Sequence, residues 1–126
     1  MTIIGIIGGT GIIGLDNESC LPQRETTPFG TVEMWAFSVS DTRRVVFLPR
    51  HGPGGNVPPH LVNYRANICA LKQAGCSAIL ATAACGAITD SLQPGDLVLI
   101  DQFIDFTRGR IPTFFGEGQR CLCMWT

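Results

Sequence analysis

The run Ile3-Ile4-Gly5-Ile6-Ile7 passes without a break into Gly8-Gly9-Thr10-Gly11. β-Branched residues favour a strand, and glycines at its end favour a tight loop with bare backbone. A strand with isoleucine on both faces must be covered on both faces. That places it inside a parallel or mixed sheet, and the fold class is α/β, a mixed β-sheet with helix cover. Composition supports this: 45% of the 126 residues are apolar and 15% charged, a balance that suits buried strands or surface hidden against a partner.

The rest of the chain supplies the other layers. Residues 15–22 are polar, lack helical periodicity and read as loop. Thr27-Pro28-Phe29-Gly30 reads as a turn, and residues 32–39 as an edge or hairpin strand. Asp41-Thr42 turns the chain into the buried strand Val45-Val46-Phe47-Leu48, with which residues 32–39 are expected to pair antiparallel. Residues 50–59 are rich in glycine and proline and must be loop. Over residues 60–74, Leu61, Tyr64, Ile68 and Leu71 recur at helical spacing, as do Val62, Ala66 and Ala70. Pro58-Pro59 fits a helix entrance, and Gly75 is the natural stop. Residues 78–83 predict another buried strand. Gln93-Pro94-Gly95 predicts a turn into a further strand over 96–103.

Charge and cysteine content exclude several classes. Net charge is −1, the basic residues are scattered, and Lys72 is the only lysine. No basic stripe offers itself to nucleic acid or an anionic membrane. No apolar run approaches the ~20 residues of a membrane span. Met1-Thr2 leads straight into the first strand with no charged leader, so an intracellular, cytoplasmic setting with reduced thiols is expected. Cys69, Cys76 and Cys85 fall in or beside predicted elements, and Cys20 stands alone. Cys121-Leu122-Cys123 lacks the second pair that a zinc site requires, so no metal is expected.

Three loops follow predicted strands: Gly8-Gly9-Thr10-Gly11, the segment opening with Arg50-His51, and Thr82-Ala83-Ala84-Cys85-Gly86. If their strands run parallel, all three gather at one sheet edge, where ligands bind in α/β folds. The first loop reads as an anion-binding nest or as a plain tight turn. Arg50 offers a fork for phosphate oxygens and His51 a hydrogen bond, against the alternative of a surface ion pair and a solvent-facing imidazole. The third loop is small enough to admit a ligand close to backbone, or simply packs. Gly9, Gly11 and Gly14 also satisfy the dinucleotide spacing G-x-G-x-x-G. The context is wrong, because the polar residues 16–22 do not make the helix that motif needs.

Collinear stretches then carry a resemblance: IGIIGGTG at 4–11, TPFG at 27–30, LPRHG at 48–52, VNYRANICALKQAG at 62–75, TAACGAI at 82–88 and QPGDLVLIDQFIDFT at 93–107. The chain resembles the methylthioadenosine phosphorylase branch of the purine nucleoside phosphorylases, and bacterial methylthioinosine phosphorylases are similar over the same stretches. The resemblance implies that residues 1–118 are the N-terminal part of a nucleoside phosphorylase domain, with 119–126 a divergent tail. It implies a pentosyltransferase of purine salvage. Inorganic phosphate, a co-substrate, attacks the anomeric carbon of a purine nucleoside and releases the purine and a (methylthio)ribose-1-phosphate. No metal or organic cofactor is implied, and the assembly implied for a full-length chain is a homotrimer.

By the same resemblance Thr10 binds phosphate from the glycine loop, Arg50 and His51 form the phosphate pair, and Ala83 and Ala84 present backbone to phosphate. Ala83 stands where many relatives carry threonine or asparagine. Family members are much longer, and the general acid that protonates the purine is expected in the half not present here. Two other readings stand beside this one. The chain is a catalytically silent fragment or isoform keeping only the phosphate-binding half, or it is the dinucleotide module weighed above. A sheet cut short in this way is expected to leave apolar strand surface exposed.

Overall fold

The computed structural model describes residues 1–9, 11–12 and 21–116. The chain forms two units, Met1–Gly86 and Ala87–Thr126. In the first, β1 (Thr2–Gly8), β2 (Gln23–Thr27), β3 (Gly30–Ser40), β4 (Arg43–Pro49) and β5 (Ala78–Ala81) form one sheet in the order β2-β3-β4-β1-β5. The helix α1 (Tyr64–Gln73) lies between β4 and β5 in the chain. β1 is an interior strand, parallel to β4 on one side and to β5 on the other, with Ile6 opposite both Phe47 and Leu80. β3 pairs antiparallel with β4, as its sequence predicts.

The mixed sheet and its helix share one core. Ile7, Val32, Met34, Val46 and Leu48 pack against Ala66, Ala70 and Leu71 of α1. The alanines keep that helix face flat, and Gly5 lets it come close. A β-carbon at Gly5 would lie 3.2 Å from a Leu71 methyl, tighter than ordinary packing allows without adjustment.

Both ends of α1 are written into the sequence. Asn63 is the N-cap: its side-chain oxygen accepts from the Ala66 N–H at 3.1 Å, and its amide donates to the Phe29 carbonyl at 2.7 Å. One side chain therefore starts the helix and ties down the β2–β3 turn. Gly75, at φ +79°, ends the helix in a Schellman motif, with the Gly75 N–H donating to Lys72 and the Cys76 N–H to Leu71. The helix begins later than residue 60, because Pro58-Pro59 opens a separate 3-10 turn over Pro59–Leu61 that closes in extended backbone at Val62. Leu61 and Tyr64 are consequently exposed, and the buried stripe is Val62, Ala66, Ala70 and Leu71.

Two further expectations change, and one strand was not foreseen. Gln23–Thr27 is a strand although it is polar. Its alignment with β3 puts Arg24 opposite Glu33, and the two form an ion pair at 2.7 Å. β5 ends at Ala81, and its four residues are exposed rather than buried, with Leu80 at 56%, because it is the sheet's edge. Among its described residues the second unit holds no strand over 96–103. The turn before that segment forms, with the Gln93 N–H donating to the Asp96 carboxylate at 2.8 Å. Leu97 and Leu99 are almost wholly exposed, at 100% and 93%. An apolar run becomes a strand only when a neighbour satisfies its backbone, and this one has no ladder partner among the described residues.

Cys69, Cys76 and Cys85 are free thiols; the first two are half-buried, and burial pushes the Cys76 thiol up from its ordinary pKa. Cys85 is exposed. Cys20 and the Cys121–Cys123 pair lie outside the described residues. No helix among the described residues is long and apolar enough to cross a membrane.

Two substitutions test this packing. Leu71→Ala is expected to cost about 2–5 kcal/mol, since Leu71 is fully buried. Gly75→Ala is expected to cost about 1–2 kcal/mol through left-handed backbone strain alone. Urea unfolding should show both as lower midpoints with an unchanged slope.

Candidate anion site at the ends of three parallel strands

Because β4, β1 and β5 run parallel, the loops that follow them leave the sheet at one edge. Backbone hydrogen bonds carry the alignment past the strands. The Arg50 N–H donates to the Gly8 carbonyl at 2.9 Å, and the Thr82 N–H to the Ile7 carbonyl at 3.0 Å. The three loops are therefore fixed to one another before any side chain acts.

Thr82 then joins two of them. Its hydroxyl oxygen accepts from the Gly9 N–H at 3.1 Å, and its carbonyl accepts from Arg50 Nη1 at 3.1 Å. The guanidinium lies over Gly9. A β-carbon there would fall 2.5 Å from Arg50 Nη2 and 2.6 Å from the Thr82 carbonyl oxygen. No residue but glycine fits beneath that arginine, since the carbonyl belongs to backbone held by the sheet. Beyond Gly9 the chain turns back, with the Ile12 N–H donating to the Gly9 carbonyl at 3.1 Å and Gly11 at φ +87°. Thr10, the proposed hydroxyl donor, lies outside the described residues.

His51 is held from the other side. Its Nδ1 meets the Val57 carbonyl at 2.8 Å, and the Val57 N–H donates to the His51 carbonyl at 2.9 Å. Residues 51–57 thus form a closed loop, with Gly52 and Gly55 at positive φ making its bends. Gly8, Gly9 and Ile12 on one wall, and His51, Gly52 and Gly55 on the other, enclose a cleft of about 60 Å³. That volume suits a small ion and lies far below the ~300–1,000 Å³ of drug-sized ligand pockets. None of these lining residues is acidic. The cleft itself offers an oxyanion a histidine ring and glycine backbone, while the Arg50 guanidinium lies beside it over Gly9 and lines the larger neighbouring cavity; together these are donors of the kind that phosphate takes.

The structure thus brings Arg50 and His51 together with the glycine loop. Ala83 and Ala84 stand just past Thr82 and are exposed. Thr82 itself escaped the sequence reading: threonine at a strand end reads as a β-former, and its partner lies 73 positions away. A second, larger cavity of about 550 Å³ opens between the β2–β3 hairpin, the loop after β4 and the start of α1. Arg24, Thr31, Glu33, Arg50, Asn63 and Asn67 supply polar groups to it. Asn63 there serves the helix cap described above. The dinucleotide reading finds no support. β2 lies at the far side of the sheet, antiparallel to β3, where that motif needs a second parallel strand beside the first.

A family model described as the phosphorylase superfamily matches residues 3–124. A probable S-methyl-5'-thioinosine phosphorylase of Methanothermobacter thermautotrophicus is 50% identical over 118 residues, covering 91% of this chain and 42% of that protein. A 6-oxopurine nucleoside phosphorylase of Pyrococcus furiosus is 44% identical over 115 residues, covering 91% of this chain and 43% of that one. Among solved structures, methylthioadenosine phosphorylase from Schistosoma mansoni in complex with adenine superposes with a TM-score of 0.85 at 45% identity. It covers 94% of this chain and 43% of the other. The chain therefore spans less than half the length of the relatives it matches. With the family model covering nearly every residue and the fold superposing as closely, this chain belongs to the phosphorylase superfamily.

Proposed function

We propose that this chain supplies the phosphate-holding part of a purine nucleoside phosphorylase of the methylthioadenosine type. In that reaction a phosphate oxygen bonds to the anomeric carbon as the C–N glycosidic bond breaks. The bonding pair leaves with the purine, and a (methylthio)ribose-1-phosphate forms. The transition state has oxocarbenium character, so an anion fixed beneath the sugar serves both as nucleophile and as counter-charge. The observation that carries this reading is the Arg50 guanidinium bound to Thr82 and seated over Gly9. It leaves the rest of a rigid planar fork to meet a tetrahedral oxyanion. Relatives that act on thioinosine, on 6-oxopurine nucleosides and on thioadenosine all match the same stretch. This fits a phosphate site common to all of them, with the purine read elsewhere.

A second reading concerns this chain acting alone, and the cleft favours it. No carboxylic acid is among the described residues lining the cleft, and Glu33 in the larger cavity is paired with Arg24. A site that lacks its general acid typically loses ~10²–10⁴-fold in rate. The chain by itself is therefore expected to bind phosphate without releasing adenine from methylthioadenosine. Adenine release at rates ordinary for such enzymes, followed by chromatography, would contradict this silent reading.

The phosphate reading has its own tests. Removing a charged hydrogen-bonding group typically costs about 1.5–3 kcal/mol, so Arg50→Ala should weaken phosphate binding roughly 10–100-fold by calorimetry. Arg50→Lys keeps the charge but loses the fork, and most of the affinity should still disappear. Gly9→Ala should abolish binding with every charge in place. Unchanged phosphate affinity in Arg50→Lys would refute the role given to the fork.

A further inference from the structure

The two outer edges of the sheet are built differently. β2 ends it on one side with Gln23, Arg24 and Glu25, and Arg24 is tied to Glu33 of its neighbour. Charge on an edge strand discourages a further strand from joining. β5 ends it on the other side with Ala78-Ile79-Leu80-Ala81. All four residues are exposed, Ile79 at 38% and Leu80 at 56%. Successive side chains of a strand point to opposite faces, so this edge is apolar on both. It carries none of the usual guards. β5 has no charged residue and no proline, and its register with β1 runs unbroken from Ala78 to Ala81. No charged residue stands between Lys72 and Asp90. Among the described residues β5 is paired on one side only, so its outward N–H and C=O groups call for an extended strand.

The sequence of β5 says which strand fits. It reads small, large, large, small, and so has the same pattern in both directions. Laid antiparallel against itself about a two-fold axis, it sets Ile79 opposite Leu80 of a second copy and Ala78 opposite that copy's Ala81. Each face of the joined sheet then gains one Ile–Leu cross-strand pair, and no like charges meet. From this we infer that β5 is a self-association edge whose partner is β5 of a second copy of this chain. The same patch serves both copies, so the contact closes at a dimer, with one sheet of ten strands, five from each copy. The rival occupant is the exposed run Leu97-Val98-Leu99-Ile100. It lacks this symmetry, and Asp96 and Asp101 bracket it, whereas uncharged residues extend past both ends of β5. Four residues a side is far fewer than the ~20–30 of a standard interface, so the dimer is expected to be weak. The inference is independent of the phosphate reading, because no residue of β5 lines either cavity.

The test is sedimentation equilibrium of the full chain from about 5 to 500 μM, the range in which weak pairing is read. The mass should rise from monomer towards dimer. Ile79→Lys combined with Leu80→Lys sets ammonium groups opposite one another on both faces, and should hold the chain monomeric throughout with an unchanged circular dichroism spectrum. Leu97→Lys should dimerise as the unaltered chain does. Hydrogen exchange gives a second readout that needs no variant. Amide protection over Ala78–Ala81 should rise with protein concentration, while that over Gln23–Thr27 stays level. A monomer at every concentration, or concentration-dependent protection at β2 instead of β5, would overturn the inference. So would dimers that survive the paired lysines or vanish with Leu97→Lys, and so would trimers or open-ended assemblies.

Discussion

Everything at the candidate site depends on β1 having a parallel neighbour on each side. That pairing brings the ends of β4, β1 and β5 to one edge, and it continues into the loops through the bonds from Arg50 to Gly8 and from Thr82 to Ile7. Parallel strands are built where both faces can be apolar, which the isoleucines of β1 require. The same residues that demand a central strand thus determine where its loop emerges. The site is a consequence of sheet topology first and of side-chain chemistry second.

Side chains then turn proximity into rigidity. Thr82 accepts from Gly9 and from Arg50 at once, so the glycine loop and the arginine share a single anchor. An arginine held in this way loses less rotamer freedom on meeting an anion than one free in solvent. His51 is ordered independently by its own loop, through Val57. The glycine loop and the His51 loop flank a cleft sized for a small ion, while the larger cavity beside the hairpin is lined by Arg50 and by groups already paired, Arg24 with Glu33.

Much of this was legible in the sequence because the signals are local. Isoleucine runs marked β1, valines marked β4, and helical spacing with Gly75 marked α1 and its end. What escaped was whatever depends on a distant partner. β2 is polar and becomes a strand only through its alignment with β3, which brings Arg24 to Glu33. Residues 96–103 have strand composition but no ladder partner among the described residues. β5 was expected to be buried, and its place at the edge exposes it. At the site, Arg50 and His51 stood out by type and position. Thr82 did not, since its role exists only once β5 lies beside β1. The contribution of Thr10 rests on the resemblance, as that residue lies outside the described ones.

The central claim is that the glycine loop, Arg50 and Thr82 form one oxyanion site. Its most direct test is a backbone 15N–1H titration of the chain with inorganic phosphate. The account predicts saturable shifts concentrated at Gly9, Arg50, His51, Gly52 and Thr82, with Asn67 and Arg24 unmoved. Shifts centred on Asn67 and Arg24 in the larger cavity, or no saturable shift at all, would contradict it.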